Sequence, residues 1–138
     1  MLDKRNFYID GKWVAPSKLN DFEVINPSNE EPFATISLGY KEDTDEAVKA
    51  AKNAFTNWKE TTKKERLSLL EKLLKIYKKR FKEMSEAISL EMGSPIDYSS
   101  ANHTTSGQSH LEDFNLRLKE FNYEKSFDSK SNNHINYE

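Results

Sequence analysis

The sequence predicts a chain of mixed α and β structure, with β-hairpins over residues 7–38 and about three α-helices after them. An Asp-Gly pair at residues 10–11 lies between two short apolar runs, which is a strong hairpin signal. From residue 67 to residue 88, apolar side chains recur every three or four positions, as on one helix face. Leu, Ile, Val and Phe make up only 30 of the 138 residues. That share is close to the roughly 20% below which a chain rarely builds a core, so we expect a thin core that needs a partner surface.

Two strand pairs account for the β region. The first is FYIDGKWVA, beginning at Phe7, with its turn at Asp10-Gly11. The second pair is divided by Asn26-Pro27-Ser28-Asn29, a cluster of turn-forming residues. Pro27 suits a turn and would not suit a central strand, because proline has no N–H to donate to the ladder. The change from strand to helix is therefore predicted after Leu38.

Two helices with capping signals come next. The first is predicted to begin at Asp43, with Glu46 as its capping-box partner. Its apolar face consists of Ala47, Ala50, Ala51, Ala54, Phe55 and Trp58. The second is predicted to begin after Thr62, whose capping-box partner is Glu65.

The second helix carries the strongest periodic pattern in the chain. Its principal apolar positions are Leu67, Leu70, Leu74, Tyr77, Phe81, Met84 and Ile88. Four more widen the stripe, namely Leu69, Leu73, Ile76 and Ala87. If unbroken over residues 63–92, this helix would be about 45 Å long. Gly93 is predicted to end it in the left-handed conformation, and Pro95 forbids its continuation.

A third helix is predicted from near Asp97 to about Phe121. Its second half repeats the three-and-four spacing with Leu111, Phe114, Leu118 and Phe121. Its first half is rich in Ser, Thr and other small residues, which allow close approach of a neighbour but bury little area. Residues 123–138 are rich in Ser, Asn and charge, and we interpret them as a polar linker or an unpaired strand.

Composition argues against several functional classes. The formal net charge of -2 does not suit a general nucleic-acid binder. The chain has no cysteine, which excludes disulfides, thiolate metal sites and a cysteine nucleophile within it. It has neither a signal-peptide pattern nor a stretch of the ~20 apolar residues that a membrane span needs. We therefore expect a cytoplasmic protein without nucleic-acid or membrane partners.

The residues themselves suggest no active site. The four glycines are too far apart for a phosphate-binding loop. His103, His110 and His134 lack the spacing of a zinc site, and we interpret them as solvated. A group with the residue types of a hydrolytic triad is Ser106, Ser109, His110 and Asp113. Such triads assemble from distant segments, and the G-x-S-x-G elbow is missing, so a hydrolase is a weak third hypothesis.

The segment over residues 71–83 is amphipathic and basic. It carries six basic and two acidic residues, a pattern found in membrane-surface helices and calmodulin targets. Its spacing would also suit a coiled coil. We favour a solvated lysine face over a leucine core, and keep a standalone helical interaction or membrane-surface module as the alternative function.

The whole chain, from Phe7 to Glu138, resembles the N-terminal region of the NAD(P)-dependent aldehyde dehydrogenase superfamily. FYIDGKWV is similar to the opening hairpin of that family, and VINPSNEEPFATIS to its Asn-Pro strand pair, with Asn29 where glycine is common. EDTDEAVKAAKNAFTNW is similar to its first long helix. The segment that ends in SLEMGSPI resembles its E-x-G-K-P segment, with Ser94 where lysine is usual. The order, spacing and coverage of these segments make the resemblance specific.

The resemblance implies an α/β fold in which residues 1–138 are the N-terminal part of the cofactor-binding domain, an incomplete domain truncated before the dinucleotide-binding core. The family oxidises an aldehyde to a carboxylate: a cysteine thiolate attacks, hydride passes to NAD or NADP, and a glutamate activates water. None of those catalytic or cofactor-binding residues matches a position here. We therefore expect this chain alone to be inactive and to bind neither cofactor. Expected partners are the remainder of the enzyme on a separate chain and, as in the family, further copies in a homo-oligomer.

The resemblance also implies one candidate site. Family members often hold a structural monovalent cation near the Asn-Pro strand and the acidic residue that opens E-x-G-K-P. Motif position assigns this site to the carbonyls of Val24 and Ile25 and to Glu91. The competing interpretation of Glu91 is a solvated carboxylate in the last turn of a helix, where the helix dipole disfavours negative charge.

Overall fold

A computed structural model describes residues 1–124 and gives the predicted order of strands followed by helices. The strands are β1 (Leu2–Lys4), β2 (Phe7–Ile9), β3 (Lys12–Val14), β4 (Asp21–Asn26) and β5 (Glu31–Ser37). The helices are α1 (Lys41–Trp58), α2 (Lys63–Lys79), α3 (Phe81–Met92), the short α4 (Ile96–Tyr98) and α5 (Thr105–Glu120). A π-helical turn, Ser99–Thr104, joins α4 to α5. Most of the predicted linker at 123–138, with His134, lies outside the described residues.

The strands form two separate sheets. β2 and β3 pair as an antiparallel hairpin, and both Asp10 (φ 52°) and Gly11 (φ 76°) in its turn are left-handed. Two left-handed residues are what a two-residue hairpin turn of type I′ requires, so the Asp-Gly prediction is confirmed. The second sheet has the order β1-β5-β4, with β4 antiparallel and β1 parallel to β5. Strand β1 was not predicted, because it is defined by its parallel pairing with β5, a segment far along the chain.

The predicted thin core is confirmed. Among residues 1–124, Ala34 is the one buried apolar side chain. The other buried side chains are all polar: Thr35, Ser37, Ser85, Ser99, Thr104 and Asn115. Large apolar side chains are exposed, among them Trp13 at 70% and Phe114 at 68%. Burial of apolar area is the main force in folding. Because little apolar area is buried here, the chain gains little hydrophobic stabilisation from its own contacts.

Helix α1 begins two residues before the predicted start. It starts at Lys41, which makes Asp43 its third residue and not its cap. The Asp43 carboxylate accepts the N–H of Tyr40 at 2.8 Å and the N–H of Ser17 at 2.7 Å. Asp43 therefore reaches back as a capping-box acid would, and its bond to Ser17 ties the segment after the hairpin to the helix. Glu46, the predicted partner, instead lies 3.7 Å from the Lys49 ammonium.

The predicted single helix over residues 63–92 is wrong, because the chain bends at Arg80 (φ -100°, ψ 17°) and gives α2 and α3. Its predicted start is confirmed: Thr62 and Glu65 exchange hydrogen bonds of 2.7 and 3.2 Å. Before the bend, α2 packs on α5; after it, α3 packs on the π-helical turn and β4.

The ends of the later helices agree in part with prediction. Gly93 terminates α3 with φ 69°, as expected. The third predicted helix covers the right span but is not regular, since the π-helical turn interrupts it. Within residues 1–124, no helix has the combination of length and apolar character that crossing a membrane demands.

Candidate functional site

The turn between β4 and β5 lies against the end of α3. The Ser28 hydroxyl donates to the carbonyl of Gly93 at 3.2 Å, and the Ser28 N–H donates to Asn26 Oδ1 at 2.9 Å. A Cβ atom on Gly93 would lie 3.0 Å from Pro27 Cβ and 3.2 Å from the Ser28 backbone nitrogen. Glycine is therefore needed here twice, for its left-handed φ and for this close approach.

The predicted cation ligands lie on the two elements that meet at this junction. Val24 and Ile25 lie at a register shift of β4, the edge strand of its sheet. Ile25 is opposite Pro32, which has no N–H and cannot donate a ladder hydrogen bond. Glu91 is exposed in the last turn of α3, which packs on β4. The site would depend chiefly on backbone carbonyls, because residues 1–124 contain no group of three or more acidic or histidine side chains placed to hold a metal.

A cluster of buried hydroxyls joins α3 to the π-helical turn. Ser85 Oγ and Thr104 Oγ1 are 2.9 Å apart, and Ser85 also donates to the Phe81 carbonyl at 3.0 Å. Thr104 donates to the Ser99 carbonyl at 3.1 Å, and the Ser99 hydroxyl is hydrogen bonded to that of Ser94. Ser99 and Thr104 are completely buried. Each of these buried hydroxyls has a partner, so the cluster stabilises helix packing and leaves no free group for chemistry.

Tyr77 connects this hydroxyl cluster to α2. Its hydroxyl donates to the Thr104 carbonyl at 3.0 Å. The hydroxyl approaches α5 so closely that a Cβ on Gly107 would clash with Tyr77 Oη. The small residues in the first half of the third predicted helix therefore do allow a close neighbour, and that neighbour is Tyr77.

Helix α2 has three distinct faces. Leu67, Leu70 and Leu74 are half-buried on the side of α5, which carries Leu111 and Leu118. A second apolar stripe is exposed and consists of Leu69, Leu73 and Ile76. Exposed lysines at residues 72, 75 and 79 form the third face, as the interpretation of a solvated lysine face expects.

The weaker candidates for chemistry do not assemble. His103 packs edge-on against Tyr98 at 5.3 Å between ring centroids. Asp113 accepts a hydrogen bond from Arg117 at 3.2 Å. Within residues 1–124, no hydrogen bond joins the serines and the histidine of the hydrolytic group to Asp113, and all four residues lie on α5. Nothing here favours a hydrolase.

Comparison with known proteins gives a consistent answer. A sequence model of the aldehyde dehydrogenase family matches residues 13–138. The chain is 46% identical over 96 residues to a 3-succinoylsemialdehyde-pyridine dehydrogenase from a Pseudomonas species, which covers 70% of this chain and 20% of that relative.

Solved structures agree with the sequence match. An aldehyde dehydrogenase from Bartonella henselae superimposes with a TM-score of 0.92 at 46% identity, covering 96% of this chain and 28% of that one. Aldehyde dehydrogenase C from Pseudomonas syringae, solved with NAD+ and octanal, gives a TM-score of 0.86 at 31% identity over 90% of this chain and 26% of that one.

These matches bear on the two functional hypotheses. The chain spans about a quarter of the length of the proteins it resembles. None of these likenesses supports the alternative of a standalone interaction or membrane-surface module. The match over residues 13–138 and the shared architecture show that this chain belongs to the aldehyde dehydrogenase family, of whose fold it is an N-terminal part.

Proposed function

We propose that this chain is the N-terminal part of an NAD(P)-dependent aldehyde dehydrogenase and supplies packing surfaces to it. The complete fold would oxidise an aldehyde to a carboxylate. The likeness to the Bartonella henselae enzyme carries the proposal, since 96% of this chain superimposes on 28% of that protein. The chain contributes surfaces rather than chemistry. It has no cysteine for the thiolate step, and the histidines and acids within residues 1–124 are not arranged as a metal site.

NAD is the cofactor that the relatives support, because the Pseudomonas syringae enzyme was solved with NAD+. The cofactor would bind to the part of the fold beyond this chain, so the 138 residues alone bind neither NAD nor NADP. The working enzyme is a cytoplasmic homo-oligomer, in which the remainder of the fold is the first partner of this chain.

A chimera tests the proposal directly. The matching segment of the Bartonella henselae enzyme is replaced by this chain, and aldehyde-dependent reduction of NAD+ is followed by absorbance. We expect the chimera to retain activity and the 138-residue chain alone to have none. An inactive but folded chimera, or genuine turnover by the chain alone, would contradict the proposal.

The predicted cation site belongs to the same proposal. We expect the thermal unfolding midpoint of the chimera to rise when choline chloride is replaced by KCl or NaCl at equal ionic strength. Glu91→Gln should reduce that rise, because the amide lacks the carboxylate charge that attracts the cation. Glu86→Gln, an exposed acid earlier on α3, is the matched control and should keep the full rise. An equal response in both variants would remove Glu91 from the site.

A further inference from the structure

The tip of the β2–β3 hairpin combines two features that favour reaction of a side chain with the backbone. Asp10 and Gly11 are both exposed, and within residues 1–124 the Asp10 carboxylate has no hydrogen-bond or ion-pair partner. The Asp43 carboxylate differs, since it accepts the N–H groups of Ser17 and Tyr40. The residue after Asp10 has no side chain, so its backbone nitrogen is open to approach.

In the observed turn, the Gly11 nitrogen lies away from the Asp10 carboxyl group. Positive φ at both residues, 52° and 76°, defines a type I′ turn. The ψ of Asp10 in such a turn is about +30°. Around the Cα–C bond, tetrahedral geometry offsets Cβ from the backbone nitrogen by about 120°. The Gly11 nitrogen therefore lies nearly opposite Cβ, and attack on the carboxyl carbon does not occur from this conformation.

Rotation of a single peptide unit brings the two groups together. Turning over the peptide between Asp10 and Gly11 gives a type II′ turn, the other two-residue turn that suits a hairpin. The ψ of Asp10 is then about −120°, which places the Gly11 nitrogen on the same side as Cβ. The rotation is unobstructed, because a Cβ at residue 11 would meet nothing within 4 Å. Either turn is compatible with the strand pairs Tyr8–Trp13 and Ile9–Lys12.

We propose that Asp10-Gly11 is a covalent modification site, at which the hairpin tip converts aspartate to isoaspartate. The Gly11 nitrogen attacks the Asp10 carboxyl carbon, a C–N bond forms, and the carboxyl hydroxyl leaves with the amide proton as water. The product is a five-membered succinimide. Water then adds to this ring and breaks the bond between the nitrogen and the backbone carbonyl carbon. The chain afterwards continues through the side chain of residue 10, with its mass unchanged.

The modified tip differs from the original turn in length and in charge placement. Isoaspartate adds one methylene to the backbone before Gly11 and frees the α-carboxylate of residue 10. Because the turn fixes the register of a hairpin, the longer connection should loosen the Tyr8–Trp13 pair, whose ring centroids are 5.2 Å apart. The freed α-carboxylate is the group that an isoaspartyl carboxyl methyltransferase methylates, with S-adenosylmethionine as the methyl donor.

Prolonged warm incubation of the full 138-residue chain tests the proposal, in buffer and, separately, unfolded in urea. Trypsin releases residues 6–12 as one peptide. The isoaspartyl form of this peptide is a second chromatographic peak of unchanged mass, which resists an aspartate-specific protease and accepts a methyl group from the methyltransferase. In buffer we expect it to form within about a hundredfold of the urea rate, because the required backbone conformation is sparsely populated at aspartate.

Two variants at residue 10 control the chemistry. Asp10→Glu keeps a carboxylate at the tip but would need to close a six-membered ring, so it should give no second peak. Asp10→Asn should react faster than the unmodified chain, because ammonia leaves an amide more readily than water leaves a carboxylic acid. Its products should carry the mass increase of a deamidation.

The outcomes are separable. A folded chain that stays unmodified while the urea sample is converted overturns the proposal, since the type I′ turn would then protect Asp10. A second peak in Asp10→Glu, or an inert Asp10→Asn, overturns it as well. If circular dichroism shows that the full chain is not helical in buffer, the chimera, which carries the same hairpin, supplies the folded measurement. None of these results bears on the proposed function, because no step involves an aldehyde or NAD.

Discussion

Two regions of this chain have similar sequence patterns and very different packing. The outer region comprises the β2–β3 hairpin and α1, and none of the residues of α1 is buried, with Phe55 59% exposed. The inner region comprises α3, the π-helical turn and α5, where Ser99 and Thr104 are completely buried. Both regions contain helices with an apolar face. A periodic pattern thus indicates which face will be covered, but not whether the covering surface belongs to the same chain.

The two regions are also held by different contacts. In the inner region, buried hydroxyls exchange hydrogen bonds across helices, as between Ser85 and Thr104. In the outer region, exposed polar contacts serve instead, chiefly the two N–H groups that donate to Asp43. Because exposed contacts compete with water, they stabilise less than buried ones. Paired substitutions in the two regions should make this contrast measurable.

The largest contrast is expected from two left-handed glycines. Gly93→Ala should lower the free energy of unfolding by about 2–3 kcal/mol, because the left-handed φ is unfavourable for alanine and Pro27 and Ser28 leave no room for Cβ. Gly11→Ala in the hairpin should cost about 1 kcal/mol, since a Cβ there meets nothing within 4 Å. Urea unfolding of the full chain, followed by circular dichroism, measures both. Equal losses would mean that only the left-handed φ of Gly93 matters and that its close contact with Pro27 and Ser28 adds no cost.

Two threonines give the next contrast. Thr104→Val keeps the side-chain volume but removes the hydroxyl that is hydrogen bonded to Ser85 and to the Ser99 carbonyl. We expect it to lower the free energy of unfolding by about 1–2 kcal/mol. Thr44→Val in α1 removes an exposed hydroxyl and should change stability by less than about 0.5 kcal/mol. The same unfolding assay compares them. If Thr104→Val is as harmless as Thr44→Val, the hydroxyl cluster does not stabilise the inner region.

A smaller net effect is expected at Gly107. Alanine there would displace Tyr77 and break its hydrogen bond to Thr104. The better helix propensity of alanine offsets about 1 kcal/mol of that cost, so we expect the free energy of unfolding to fall by about 1 kcal/mol net. Gly39→Ala, just before α1, meets only ordinary contacts at 3.5 Å or more and should be nearly neutral. Tyr77→Phe removes the hydroxyl that an alanine at 107 would strike. The double variant should therefore lose less unfolding free energy than the sum of the losses of the two single variants.

The smallest effect concerns pH and the outer region alone. Hydrogen bonds from the N–H groups of Tyr40 and Ser17 lower the pKa of Asp43 below the ordinary aspartate value. A lowered folded-state pKa means that this tether contributes fully above about pH 4 and is lost as pH falls through the lowered value. Hydrogen exchange of the Ser17 amide should accelerate, relative to other amides, as pH falls below 4. Asp43→Asn should abolish that pH dependence, and its persistence in the variant would assign the effect to another acid.

Several features were predictable because local chemistry determines them. Asp10-Gly11 has few conformations other than a tight turn, and Thr62 and Glu65 satisfy each other's backbone at a helix start. Gly93, with Pro95 two residues later, favours a left-handed helix end. The family was predictable for a different reason, namely the order of several motifs along the chain. The bend at Arg80, the π-helical turn and strand β1 were not predictable. Each arises from contacts between segments far apart in sequence, and none leaves a periodic signal.

The sequence by itself determined that strands precede helices, that apolar residues are too few for a full core, and that no thiolate chemistry can occur in this chain. Only the tertiary structure decided which apolar faces are used within the chain. It places one stripe of α2 against α5, leaves the other exposed, and covers the hydroxyls of Ser99 and Thr104 completely. The physical reason is that a hydrophobic pattern depends on spacing along one helix, whereas burial depends on which surface comes within contact distance.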